Sequence, residues 1–121
     1  MDCCNCTVNL CINQNATFSR VFTWFADCGC SPIIKKPVDL TGYTAAMQIR
    51  PFVGSSVILY DASSNIVLGG ILGTITLTIP AAITETFIWF HGVYDLLLTS
   101  AGGQVTRFIQ GEIDISPAVT Q

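Results

Sequence analysis

Six cysteines fall in the first quarter of the chain and none in the rest. Cys3, Cys4, Cys6 and Cys11 sit in MDCCNCTVNLC, and Cys28 and Cys30 in DCGC. Thiols grouped this way support three kinds of chemistry. Zinc or an iron–sulfur cluster favours C-x₂-C pairs, whose spacing lets two thiolates reach one ion. Here the spacings are C-C, C-x-C, C-x₄-C and a distant C-x-C, although Cys3, Cys6, Cys28 and Cys30 could converge if the leader lies beside the first hairpin turn. Internal disulfides are a second use, but a domain of this length can bury enough surface to fold without them. The third is a tie to another chain. Cys3 and Cys4 lie in a leader, Cys11 falls on the polar side of its segment, and Cys28 and Cys30 mark a turn. We expect at least one intermolecular disulfide, with the remaining cysteines paired internally.

Other reactive groups are sparse. The single histidine, His91, stands between Phe90 and Gly92 in an expected loop, and the eight carboxylates are scattered singly. A nucleophile–base arrangement needs a base oriented by a third group, and the local sequence around His91 supplies none. The glycine-rich LGGILG matches no phosphate-binding template and reads as a turn beside a strand. No catalysis and no cofactor are expected.

Half of the 121 residues are hydrophobic and only 11% are charged, against about 25% in an ordinary soluble domain. So little charge leaves much of the surface neutral or apolar, which suits contact with neighbouring subunits. Five basic residues and a net charge of −3 speak against nucleic acid, which needs clustered Lys and Arg. No signal-like segment follows Met1, and no apolar run approaches the ~20 residues of a membrane span. Synthesis in a cytoplasm is the expectation, and the sequons at Asn5 and Asn15 read as chance.

The dominant period along the chain is two. In CTVNLCI, Cys6, Val8, Leu10 and Ile12 share a face opposite Thr7, Asn9 and Cys11. Phe18, Phe22 and Trp24 align, as do Ala45, Met47 and Ile49; Ile75, Leu77 and Ile79; Tyr94, Leu96 and Leu98; and Ile109, Ile113 and Ile115. Each set marks a half-buried strand, and breakers such as NQN, DCGCSP, PFVGSS, DASSN and SAGGQ separate them. Only PAAITETF suits a helical turn, with Pro80 at its first position. The pattern predicts an all-β antiparallel sandwich of seven or eight strands in residues 16–121, preceded by a cysteine-rich leader and first strand in residues 1–15. In DLTG, Asp39 can accept from nearby backbone N–H groups and Gly42 permits a positive φ. Tyr94 is expected to fill the core while its hydroxyl finds a partner at the rim.

The stretches TFSRVFTWFAD…PVDLTGYTAAMQIRP and GTITLTIPAAIT…GVYDLLLTSAGGQVTRFIQGEIDISPAVT resemble a family of small bacteriophage virion proteins. They are similar to the immunoglobulin-like N-terminal domain of siphophage upper baseplate proteins. The resemblance covers roughly residues 16 to 120 and is most specific at Asp39 to Arg50 and Tyr94 to Leu96. It implies an immunoglobulin-like fold and a structural role at a tail baseplate or fibre attachment. It also implies multiple copies among other virion proteins, assembled in a bacterial cytoplasm, with no nucleic acid or membrane partner. A capsid decoration protein, or a small metal-binding or redox module, is the alternative.

Two departures from the family pattern stand out. DCGCSP replaces an expected DGxGNP-like turn, and ETFIWFHGV replaces a Pro-Gly turn. In TFIWF, alternate extended positions point to opposite sides, so four large apolar residues cannot all face one core. At least one of Phe87, Trp89 and Phe90 is therefore expected to anchor a partner.

Overall fold

Strong alternation is what builds this molecule. In TITLTI, threonine and a large aliphatic take turns, and Ile75, Leu77 and Ile79 are fully buried while Thr78 faces solvent. The computed structural model describes residues 6–24 and 38–119. Among these, nine strands appear in chain order: β1 (Cys6–Thr7), β2 (Leu10–Asn13), β3 (Phe18–Thr23), β4 (Thr44–Arg50), β5 (Tyr60–Asp61), β6 (Ile66–Leu68), β7 (Thr74–Ile79), β8 (His91–Thr99) and β9 (Val105–Ser116). One helical turn, α1 (Ala81–Thr84), lies between β7 and β8, with Pro80 as its N-cap in an extended conformation.

The strands form two sheets, and the protein is all-β. The larger sheet runs β1-β9-β8-β4-β5, with β2 also on β9, and the smaller runs β3-β7-β6. Apolar faces of both enclose one core. Ile12, Met47, Ile49, Leu96, Leu98 and Ile113 come from the larger sheet, and Phe22, Ile75, Leu77 and Ile79 from the smaller. Most pairings are antiparallel, but β1 and β2 run parallel to β9, so the larger sheet is mixed. The reason lies in the chain path. From β2 the chain turns at Asn13–Ala16, with Asn15 at φ +68, and crosses to β3 in the other sheet. A β2–β3 hairpin is thereby ruled out, and β2 lies along β9. Residues 6–13 thus belong to the larger sheet, and Leu10 and Ile12 enter its core as their alternation requires.

One interaction binds this segment to the centre. The Tyr94 hydroxyl donates to the Val8 carbonyl at 2.7 Å, and burial pushes the phenol's pKa well up. Val8 sits against Gly111, where an added Cβ would lie 2.1 Å from that same carbonyl oxygen. Glycine is obligatory there because the backbone of a neighbouring segment occupies the side-chain space.

The alternation fails once. Between Leu96 and Leu97 the β8–β9 register shifts, Leu96 pairing with Ile109 and Leu97 with Arg107. Phe108 is the extra residue. The bulge turns its ring inward beside Ile109, and both are buried. There it meets Phe22 edge-on at 6.4 Å and Trp24 at 5.8 Å. Strict alternation would have sent Phe108 to solvent.

At DLTG, Asp39 Oδ1 accepts from the Thr41 amide at 2.9 Å and its hydroxyl at 2.6 Å. These bonds hold the carboxyl below its ordinary pKa. Gly42 follows at φ +82, the left-handed conformation its sequence position called for.

The Tyr94–Val8–Gly111 contact generates the first prediction. Tyr94→Phe, which takes a partner from the part-buried Val8 carbonyl, is expected to lower unfolding stability by about 1–3 kcal/mol. Gly111→Ala is expected to cost about 2 kcal/mol or more, because backbone must move. Urea unfolding followed by tryptophan fluorescence measures both. Hydrogen exchange should show amides of Leu10–Asn13 losing protection first, and uniform loss across the sheet would contradict this account.

Candidate functional site

β8 runs from His91 to Thr99, so residues beside these two mark opposite ends of the strand axis, roughly 25–30 Å apart. Exposed apolar side chains gather at both. At the His91 end the segment before β8 alternates as an extended chain must. Phe87 is 3% exposed, Ile88 86% and Phe90 64%, and Trp89 packs half-buried against the core. Phe87 closes the core by packing its ring against Tyr60 at 5.3 Å and Trp89 at 5.0 Å. Its carbonyl accepts from Gln14 Nε2 at 3.0 Å, and Gln14 Oε1 accepts from the Ala118 amide at 3.0 Å. Of the three aromatics expected to meet a partner, Phe90 is the one fully offered to solvent, with Ile88 beside it; Phe87 is committed to the interior. Exposed Val57 and Ile58 lie at the same end. The next residue, Leu59, bonds its amide to the Ile49 carbonyl, and Leu59 Cδ1 comes within 3.2 Å of a Cβ built on Gly92.

At the Thr99 end, Val105 pairs with Thr99 and is exposed. The glycine-flanked 3-10 turn Gly70–Leu72 reaches this end through Leu40, whose amide bonds to the Gly70 carbonyl at 2.9 Å. Gly42, two residues on, packs against Ala101. Ile71 and Leu72 stand 73% and 63% exposed. In the sequence LGGILG reads only as a turn beside a strand. Its distinguishing signal is two large aliphatics set between glycines, where no strand face can bury them.

The cysteines separate by what is described. Cys3, Cys4, Cys28 and Cys30 lie outside the described residues. Cys6 pairs by its backbone with Ile109 in β1. Cys11 is exposed and its thiol is free, on the outer face of β2 as expected.

His91 is not in a loop. It opens β8 and pairs with Asp114 of β9, which pairs in turn with Cys11 of β2. Three exposed groups therefore form one cross-strand row: thiol, carboxylate, imidazole. His91 Nδ1 lies 2.8 Å from Asp114 Oδ1 and Nε2 lies 3.8 Å from Glu112 Oε1. Asp114 stands between the other two, which are two strand spacings or roughly 10 Å apart. A thiol–imidazole nucleophile pair needs direct hydrogen-bond contact, so this row is an electrostatic feature of the surface. Among the described residues, no group of three His, Cys, Asp or Glu is arranged to hold a metal ion. Likewise, no helix among them is long and apolar enough to cross a membrane.

No protein-family model matches the sequence, and no curated protein sequence matches it.

The Asp114 hydrogen bond raises the His91 pKa above its ordinary 6.5; desolvation opposes it, and the nearby charges of Asp114 and Glu112 add to the rise. A raised folded-state pKa gives stabilisation that is complete below the unfolded value and is lost as pH rises through the folded one. An NMR titration of the imidazole should therefore show a midpoint above 6.5 that falls back in Asp114→Asn. A midpoint unchanged by that substitution would remove the assigned cause.

Proposed function

We propose that this protein is a structural subunit of a bacteriophage virion, an immunoglobulin-like sandwich that joins larger components at a tail baseplate or fibre attachment. The observation carrying this reading is the pair of exposed apolar ends, Ile88 with Phe90 at one and Ile71 with Leu72 at the other. Single exposed hydrophobics are ordinary, whereas clusters of them mark contact surfaces. A decoration protein needs one docking face; two ends separated by the length of β8 suit a joint. The DLTGYTAAMQIR and YDL residues support the virion class, because the same residues shape the Asp39–Gly42 turn and the Tyr94 anchor. Low charge supports it too, since a subunit enclosed by neighbours needs little solvated coat.

Cys11 lies at the Ile88–Phe90 end, in the same cross-strand row as His91, the first residue of the strand that this aromatic segment feeds. A disulfide from Cys11, or from the leader cysteines Cys3, Cys4 and Cys6 or the turn cysteines Cys28 and Cys30, would tie the subunit covalently after assembly. Such a tie keeps partners at high effective concentration when the contact opens.

Particle incorporation tests the joint. Ile88→Asp with Phe90→Ser, and separately Ile71→Asp with Leu72→Asp, should leave the thermal midpoint within a few degrees yet each cut incorporation at least about tenfold, as loss of a buried anchor does. Normal incorporation of both folded variants would defeat the reading. For the covalent tie, intact particles with thiols blocked before denaturation should give a band above the 13.0 kDa chain on a non-reducing gel, and that band should collapse on reduction. A single band at chain size in both lanes would exclude it.

A further inference from the structure

The outer face of the larger sheet carries side chains that neither apolar end uses. Gln48 of β4, Asp95 of β8 and Gln110 of β9 are mutual cross-strand partners and form one row. The adjacent outward row is Arg50, Val93 and Glu112. Phe52, Val53 and Gly54 of the loop after β4 form a wall beside them, leaving a cleft of about 540 Å³. That is within the range of small-molecule sites, roughly 300–1,000 Å³.

The cleft is built rather than incidental. Arg50 Nη1 donates to the Ser55 carbonyl at 2.6 Å and Nη2 to Gln48 Oε1 at 2.8 Å, so one guanidinium fastens the wall to the floor. The loop is braced from within, the Ser55 amide bonding to the Phe52 carbonyl and the Val57 amide to Ser55 Oγ. Across the floor, Arg107 Nη1 donates to Gln110 Oε1 at 3.1 Å and Nε lies 3.8 Å from Asp95. These planar groups are held before any ligand arrives, which lowers the entropy cost of binding. At the rim, Phe52 is 63% exposed.

The lining selects a class of ligand. Two guanidinium groups, Arg50 and Arg107, face two carboxylates, Asp95 and Glu112, so the charges cancel and neither an anion nor a cation is favoured. β4, β8 and β9 are each paired on both sides, so no free strand edge is available for an extended peptide. Phe52, Val53 and Val93 together are too little apolar surface for an amphipathic helix. What remains is a floor of planar donors and acceptors beside an aromatic ring. A sugar ring matches both, because its hydroxyls donate and accept at once while its C–H face lies flat on an aromatic.

We propose that this cleft binds a neutral oligosaccharide, with Asp95, Gln110 and Arg107 taking the hydroxyls and Phe52 covering one ring face. The site borders the His91 end through Glu112 but uses neither Ile88 nor Phe90, so it can be tested separately from the joint proposed above.

The full chain on an array of neutral and acidic oligosaccharides tests this. At least one neutral glycan should bind, and titrating it into ¹⁵N-labelled protein should shift the amides of Phe52, Asp95 and Gln110. Asp95→Ala, and independently Phe52→Ala in the exposed loop, should each weaken binding at least about tenfold with an unchanged thermal midpoint. Ile88→Asp with Phe90→Ser should bind the glycan normally, which separates this result from the fate of the joint. Binding to no neutral glycan, preference for acidic ones, or affinity indifferent to both cleft variants would overturn the proposal. Loss of particle incorporation in Asp95→Ala without any glycan binding would assign the cleft to a protein partner and overturn it equally.

Discussion

The Val8 carbonyl is the point on which the larger sheet closes. It sits where any side chain at position 111 would have to be, and it accepts the hydroxyl of Tyr94, a residue otherwise buried among aliphatics. A buried phenol without a partner would be costly, and so would a buried carbonyl. Each solves the other's problem, at the one position where glycine leaves room. The pairing of β2 with β9, the seating of Leu10 and Ile12, and the outward placement of Cys11 all depend on this seat.

Regular parts of the fold are legible in the sequence because they obey a two-residue period. The TITLTI strand, the Met47–Ile49 and Leu96–Leu98 pairs and the helical turn after Pro80 sit where alternation and a proline put them. Asp39 and Gly42 behave as their chemistry requires, one accepting from Thr41 and the other taking a positive φ. Phe108 was not legible, since a bulge is decided by the packing demand of Phe22 and Trp24 from another sheet. The parallel run of β2 along β9 was hidden for a similar reason: it follows from a chain crossing, and periodicity carries no direction. His91 and the floor of the cleft show the same limit at functional level. Asp114 is 23 residues from His91, and the Gln48–Asp95–Gln110 row draws on three strands distant in sequence. Spacing along the chain cannot report a neighbour that only a sheet supplies.

A domain with so little charge must still avoid pairing through its open edges. β3 is an edge strand, and its outward side carries Ser19, Val21 and Thr23 against Thr78, Thr76 and Thr74, a face with no charge. Arg20 is the exception. It lies opposite the fully buried Leu77, on the inner side of the strand, yet it stays exposed, with its guanidinium 5.5 Å from the Phe22 ring centroid. An inward-facing charge on an edge strand makes addition of another strand expensive, because that charge would be desolvated. The ends, where Ile88, Phe90, Ile71 and Leu72 are presented, are thereby left as places for apolar contact.

Parallel pairing between β2 and β9 also sets an order of events during synthesis. β2 finds its sheet partner only in β9, and the Asn9 side chain accepts from the Glu112 amide 103 residues downstream. The ribosome delivers these two strands almost a chain length apart, at about 5–20 residues per second. Through that interval β2 has an apolar face and no sheet to bury it. Contacts so distant in sequence are the slow ones to form. The strand that carries Cys11 is therefore made well before β9 and is among the last to be fixed in place, so its thiol waits outside any sheet until β9 arrives.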